Sequence, residues 1–201
     1  MKKSILLLVI ALVTSFLGVS QTSGITADNN LNFYGIDYTQ TYFLTPLDFP
    51  NTADLKAKIT GWNDLILTER DKYSIQKFFN KSNVEYQFNM IKALNDKIDV
   101  ESRLTTDPAK VAYLTEADIA KIVSQYNTGD DKDFGLVFIA ESYDKPSEMG
   151  AYWVTFFDVS TKKVIETKRF VGKAKGFGLR NYWANSYYVV MKDAGKEFGS
   201  K

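Results

Sequence analysis

Leu136-Val137-Phe138-Ile139-Ala140 is an unbroken apolar run, and the stretch from Tyr152 through Trp153-Val154-Thr155-Phe156 to Phe157 is nearly so. A strand with one wet face alternates polar and apolar residues. Continuous apolarity predicts strands covered on both faces, as at the centre of an α/β sheet. The turn Asp158 to Lys162 leads directly into Val164 to Val171, where charged and apolar residues alternate. So short a connection predicts an antiparallel hairpin. A glycine-rich stretch, Gly172 to Gly178, comes next. Leu179, Trp183, Tyr187, Val190 and Ala194 then mark the buried stripe of a long final helix.

Upstream of the central run, Thr115 is a natural helix N-cap with Asp118 three residues on. Ile119, Ile122, Val123 and Tyr126 form that helix's apolar face, and Gly129 is expected to stop it. Val84, Tyr86, Phe88 and Met90 alternate with Glu85, Gln87 and Asn89, which predicts a half-buried strand. Residues Asn95 to Pro108 lack a period and read as a loop, with a short extended piece at Ile98 to Val100. Leu55, Ile59, Trp62 and Ile66 make one helical stripe, a second short helix is expected over Asp71 to Phe79, and Tyr34, Ile36 and Tyr38 alternate as a first strand. The order is β-α-α-β-α-β-β-β-α. It predicts a single α/β domain over residues 31–198, with a mixed sheet of about five strands and helices packed against it. Fourteen Phe, twelve Tyr and three Trp supply its core.

Lys2 and Lys3 precede nine residues, Ile5 to Val13, without a charged or polar group, and Gly18-Val19-Ser20 then offers small residues at a cleavage site. This charged, apolar, small pattern predicts a secretory signal peptide over residues 1–20, cut after Ser20, with a flexible leader over residues 21–30. The apolar run is well short of the ~20 residues that span a bilayer. No cysteine is available for lipidation, so a lipoprotein is not expected, and no later segment is apolar enough to span a membrane. The expected location is the periplasm or the exterior.

Loss of the two lysines takes the formal net charge from +1 to −1. A near-neutral domain lacks the field that concentrates a protein on nucleic acid, so no nucleic-acid partner is expected. With neither Cys nor His, the chain cannot build disulfides, Ser-His-Asp or Cys-His machinery, His- or Cys-ligated haem, or the usual zinc sites. Any metal would be a hard one held by oxygens. Asn127, Asp130, Asp131 and Asp133 superficially resemble a calcium loop but lack its sixth-position glycine and twelfth-position glutamate. Nothing in the sequence asks for a cofactor.

Taken with this element order, Gly135-Leu136-Val137-Phe138-Ile139, the run Trp153 to Ile165 with its Asp158-Val159-Ser160-Thr161-Lys162 turn, and the glycines before a final helix resemble a periplasmic module. The likeness, over about residues 115–195, is to the α/β domains of the amino-terminal part of TolB, of the curli exporter CsgG and of the penicillin-binding-protein activator LpoB. The segment Gly176-Phe177-Gly178-Leu179-Arg180-Asn181-Tyr182-Trp183 is also similar to a stretch of secreted proteins of gut-type bacteria. The resemblance implies an interaction or assembly role in the envelope, with an envelope or extracellular protein as partner. The chain departs from the lipoprotein members in having no lipidated cysteine.

Three groups of residues offer chemistry. Lys173, Lys175, Gly176 and Gly178, followed by Arg180, combine exposed backbone N–H groups, a helix amino end and three cations, a set that suits a small anion. The stretch is neither a P-loop, since no Gly-Lys-Ser/Thr closes it, nor a dinucleotide fingerprint, since Asn181 replaces the third glycine. A plain strand-to-helix turn is the competing reading. Arg180, Asn181, Tyr182 and Trp183 put an arginine fork beside aromatics, which suits a carboxylate, peptide or carbohydrate, although Trp183 also fits a core position. Glu141, Asp144 and Lys145, placed just beyond the central strand, sit where open α/β sheets hold ligands, and Glu141 with Asp144 or Glu148 offers a carboxylate pair of glycosidase type, although two acids on a loop are usually just solvated. The expectations are therefore a non-enzymatic binding or assembly module first, a binder of small anionic or carbohydrate ligands second, and a carboxylate-dependent hydrolase third.

Overall fold

The computed structural model describes residues 30–44 and 52–199. The expected signal peptide and nearly all of the expected leader lie outside them. In chain order the elements are β1 (Asn30–Asp37), β2 (Tyr42–Leu44), α1 (Thr52–Thr68), α2 (Ile75–Phe79), β3 (Asn83–Tyr86), α3 (Asn89–Asn95), β4 (Leu104–Thr105), α4 (Glu116–Ser124), β5 (Phe134–Asp144), β6 (Met149–Asp158), β7 (Val164–Lys173) and α5 (Leu179–Phe198).

β5 is the spine of a seven-stranded sheet. On one flank β1 runs parallel to its first half, from Leu31 opposite Phe134 to Asp37 opposite Ile139. β2 then continues along the same flank, from Tyr42 opposite Ser142 to Leu44 opposite Asp144. β3 lies parallel outside β1, and β4 parallel outside β2. On the other flank β6 and β7 are antiparallel. The sheet is thus seven strands by count but five positions wide, because two positions are shared end to end. The structure is the α/β domain with a mixed sheet that the sequence predicts.

Apolar residues of β5 alternate between two cores, which is why its sequence is continuously apolar. Leu136, Phe138 and Ala140 face α1, α2 and α5, among Leu55, Ile59, Trp62, Phe79, Trp183 and Tyr187. Val137 and Ile139 face α4, among Ile119, Val123 and Tyr126. Thr115 caps α4 with a complete capping box, its hydroxyl accepting from Asp118 N and the Asp118 carboxylate accepting from Thr115 N.

Four expectations need correction. The strand expected from Val84 to Met90 ends at Tyr86, and Met90 lies in α3. From Phe88 onward the same residues fit a helical stripe of Phe88, Ile91 and Asn95, all buried, so the alternation was ambiguous there. In the expected loop, Ile98 and Val100 are buried without joining the sheet, and the paired residues are Leu104 and Thr105. α4 stops at Ser124, before Gly129, which instead serves a later turn at φ +59°. α2 begins at Ile75, later than expected, because Ser74 accepts from Lys77 N and caps it.

Where β3 ends, β1 loses its neighbour, and two amide side chains take over. Asn63 Oδ1 accepts from Ile36 N at 2.8 Å, and Asn63 Nδ2 donates to Ile36 O at 2.9 Å. Asn95 Nδ2 donates to the same carbonyl, and Asn95 Oδ1 accepts from Tyr38 N at 2.8 Å. Both amides are buried. They satisfy backbone groups that burial would otherwise leave unpaired.

Candidate functional site

The turn between β7 and α5 is held from several sides. Gly172 lies inside β7, not in the turn, and a Cβ there would collide with the Ser186 carbonyl. Its absence lets α5 lie directly on the sheet. Asn185 Nδ2 donates to Lys173 O at 2.8 Å, Ala174 N to Glu148 O at 2.7 Å, and Lys175 N to Tyr182 O at 3.0 Å. Trp62 Nε1 donates to Arg180 O at 3.1 Å, tying the first turn of α5 to α1. Gly176 and Gly178 then take φ +127° and +77°, and Gly178 is the N-cap residue of α5.

Between these two glycines Phe177 is 96% exposed. Lys173, Lys175, Arg180 and Asn181 are exposed around it. Lys173 Nζ lies 3.8 Å from a Glu148 carboxylate oxygen, in a pair that is itself half exposed. Arg180 Nε donates to Asn181 Oδ1 at 3.4 Å. Lys145, from the neighbouring β5–β6 turn, sits 3.8 Å from the centre of the Tyr182 ring. The structure therefore brings Lys173, Lys175, Gly176, Gly178, Arg180 and Asn181 to one surface.

Trp183 does not join them. It is fully buried and stacks on Tyr143, with ring centres 4.5 Å apart. Behind it lies a chain of hydroxyls. Tyr38 and Tyr143 are 3.1 Å apart, Tyr152 donates to Tyr143 at 2.9 Å, and Tyr152 and Ser186 are 2.6 Å apart. Burial, with neighbouring tyrosines adding to it, pushes the Tyr38 and Tyr143 phenols well above their ordinary range. These hydroxyls stay protonated and serve as internal partners for one another.

Glu141 is inside β5, not beyond it, and is fully buried at a bulge between Ala140 and Ser142. Trp153 Nε1 and Leu114 N donate to its Oε2 at 3.0 and 3.1 Å. Arg169 Nε and Nη2 donate to its Oε1 at 2.8 and 2.6 Å. Both oxygens are engaged by donors of the fold. Asp144 accepts from Ser147 N, and Glu148 faces Lys173. Each of these three carboxylates therefore has a partner within the fold.

A second buried acid, Asp37, was not singled out by the sequence. It ends β1, accepting from Tyr126 Oη at 2.6 Å and from Thr39 N at 2.8 Å. Asp131 accepts from Tyr34 Oη and Asp133 from Asn30 Nδ2. Among the described residues no three acids converge in a way that would hold a metal ion. The sequence does not mark Phe177 as a site either; its signal is a large apolar residue between two glycines in a cationic stretch.

No protein-family model matches the chain, and no curated protein matches it.

Proposed function

We propose that this chain is an exported, non-enzymatic binding module of the bacterial cell envelope, which docks through the turn at the amino end of α5. One observation carries the reading: Phe177 is 96% exposed between two positive-φ glycines, and Lys173, Lys175 and Arg180, all exposed, lie within four residues of it in the chain. A single exposed ring is by itself ordinary on a protein surface; its place between two positive-φ glycines in a cationic stretch is what supports a contact role. The engaged oxygens of Glu141 and the burial of Trp183 weigh against the hydrolase and the stacked-carbohydrate readings. The charged, apolar, small pattern of the first twenty residues supports export. The resemblance to periplasmic modules that scaffold and activate supports an assembly role.

Binding of the chain starting at Gln21 to washed envelopes of its own cells tests this reading, because the whole described fold lies within that span. The expected result is saturable retention that Phe177→Ser abolishes while the thermal midpoint stays unchanged. Retention indifferent to the substitution, or none at all, would sink it.

A further inference from the structure

The partner of the Phe177 turn can be specified further, on the footing that the turn is the docking surface. We propose that it docks on an anionic phospholipid surface, with Phe177 entering the acyl boundary and Lys173, Lys175 and Arg180 lying among the headgroups. The charge distribution points this way. The chain as a whole carries a formal charge of only +1, yet no carboxylate occurs between Glu166 and Asp193, an interval holding Lys168, Arg169, Lys173, Lys175, Arg180 and Lys192. Lys168 is paired with Glu197 at the surface, and Arg169 is turned to the buried Glu141. The cations on the turn remain exposed, and the facing β5–β6 turn adds Lys145. The acids nearby are Glu148, which lies against Lys173, and Asp144, which accepts from Ser147 N.

The surroundings of the ring distinguish a bilayer from a protein partner. A protein interface presents a contiguous apolar centre with a polar rim. Phe177 instead stands between two glycines with cations on either side, and its apolar neighbour Leu179 is already half-buried. A single apolar side chain flanked along the chain by exposed cations matches the layering of a bilayer, with anionic headgroups outside and hydrocarbon beneath. Glycines at φ +127° and +77° give the ring its projection, because neither conformation is open to ordinary side chains at low cost. One ring and three cations give weak, reversible adhesion, not an anchor.

Flotation of the chain starting at Gln21 with vesicles tests the proposal; the apolar segment over residues 1–20 is left out because it would itself partition. The probes are vesicles of phosphatidylglycerol and phosphatidylethanolamine, set against vesicles of phosphatidylcholine. Binding to the anionic vesicles is expected, weakened by salt. Lys175→Gln and Arg180→Gln should each lower the partition coefficient about five-fold, and Phe177→Ser about ten-fold. Phe177→Trp should blue-shift in emission on anionic vesicles alone. Equal binding to both vesicles, no binding at low salt, or binding untouched by Phe177→Ser would overturn it. Absent vesicle binding alongside Phe177-dependent retention on whole envelopes would overturn the lipid partner and leave the docking surface standing. Loss of both would remove the docking surface as well.

Discussion

Phe177 and Trp183 are close in sequence and sit at opposite extremes of exposure, 96% and 0%. Composition treats them alike; position separates them. Trp183→Ala should cost roughly 3–5 kcal/mol, since it empties a packed aromatic site. Phe177→Ser should move stability by no more than about 0.5 kcal/mol. Urea denaturation of the two variants checks this, and comparable losses would contradict the assignment. Arg169→Ala should cost roughly 2–3 kcal/mol by leaving the Glu141 carboxylate buried without its cation, a figure held down because Arg169 is partly reached by water. A loss under about 0.5 kcal/mol would show that water replaces the guanidinium. Lys173, Lys175 and Arg180 were legible as a cationic turn because charge on a glycine-rich connection belongs at the surface. Asp37 was not, because an acid at a strand end reads as solvated until Tyr126 is seen to cover it.

At the level of elements, the central strands and the stripes of α1 and α5 were legible because each repeats a period over many residues. β2 and β4 were not, being three and two residues long. Neither was the end of β3, where strand and helix periods overlap at Phe88. The consequence of that early end can be tested. Asn63→Ala and Asn95→Ala each unpair the buried edge of β1, and each should cost about 1–3 kcal/mol. Hydrogen exchange adds a local readout: the Ile36 amide should lose protection in the first variant and the Tyr38 amide in the second. Protection that persists at both amides would mean that the side chains do not replace the missing strand.

Across the whole molecule, the sequence holds no cysteine and the described core is rich in buried tyrosines. Burial holds Tyr38, Tyr126 and Tyr143 well above the ordinary value of 10.0, with neighbouring phenols or Asp37 adding to the effect. The folded state therefore keeps protons that the unfolded chain releases above about pH 10. Their contribution is complete below that pH and is lost as pH rises further. Absorbance titration of the twelve tyrosines should show the exposed ones ionising first and the buried ones together with alkaline unfolding. Smooth ionisation of all twelve while the circular dichroism stays native would contradict the buried network.

The surface at the amino end of α5 is the central claim, and contact from a single position tests it most directly. A photo-crosslinking phenylalanine analogue at position 177, with one at the exposed α4 residue Lys121 as control, should be activated in living cells of the source organism. Envelope adducts from position 177, with phospholipid among them on the lipid account, and none from position 121 are predicted. Adducts from both positions alike, or from neither, would contradict the account.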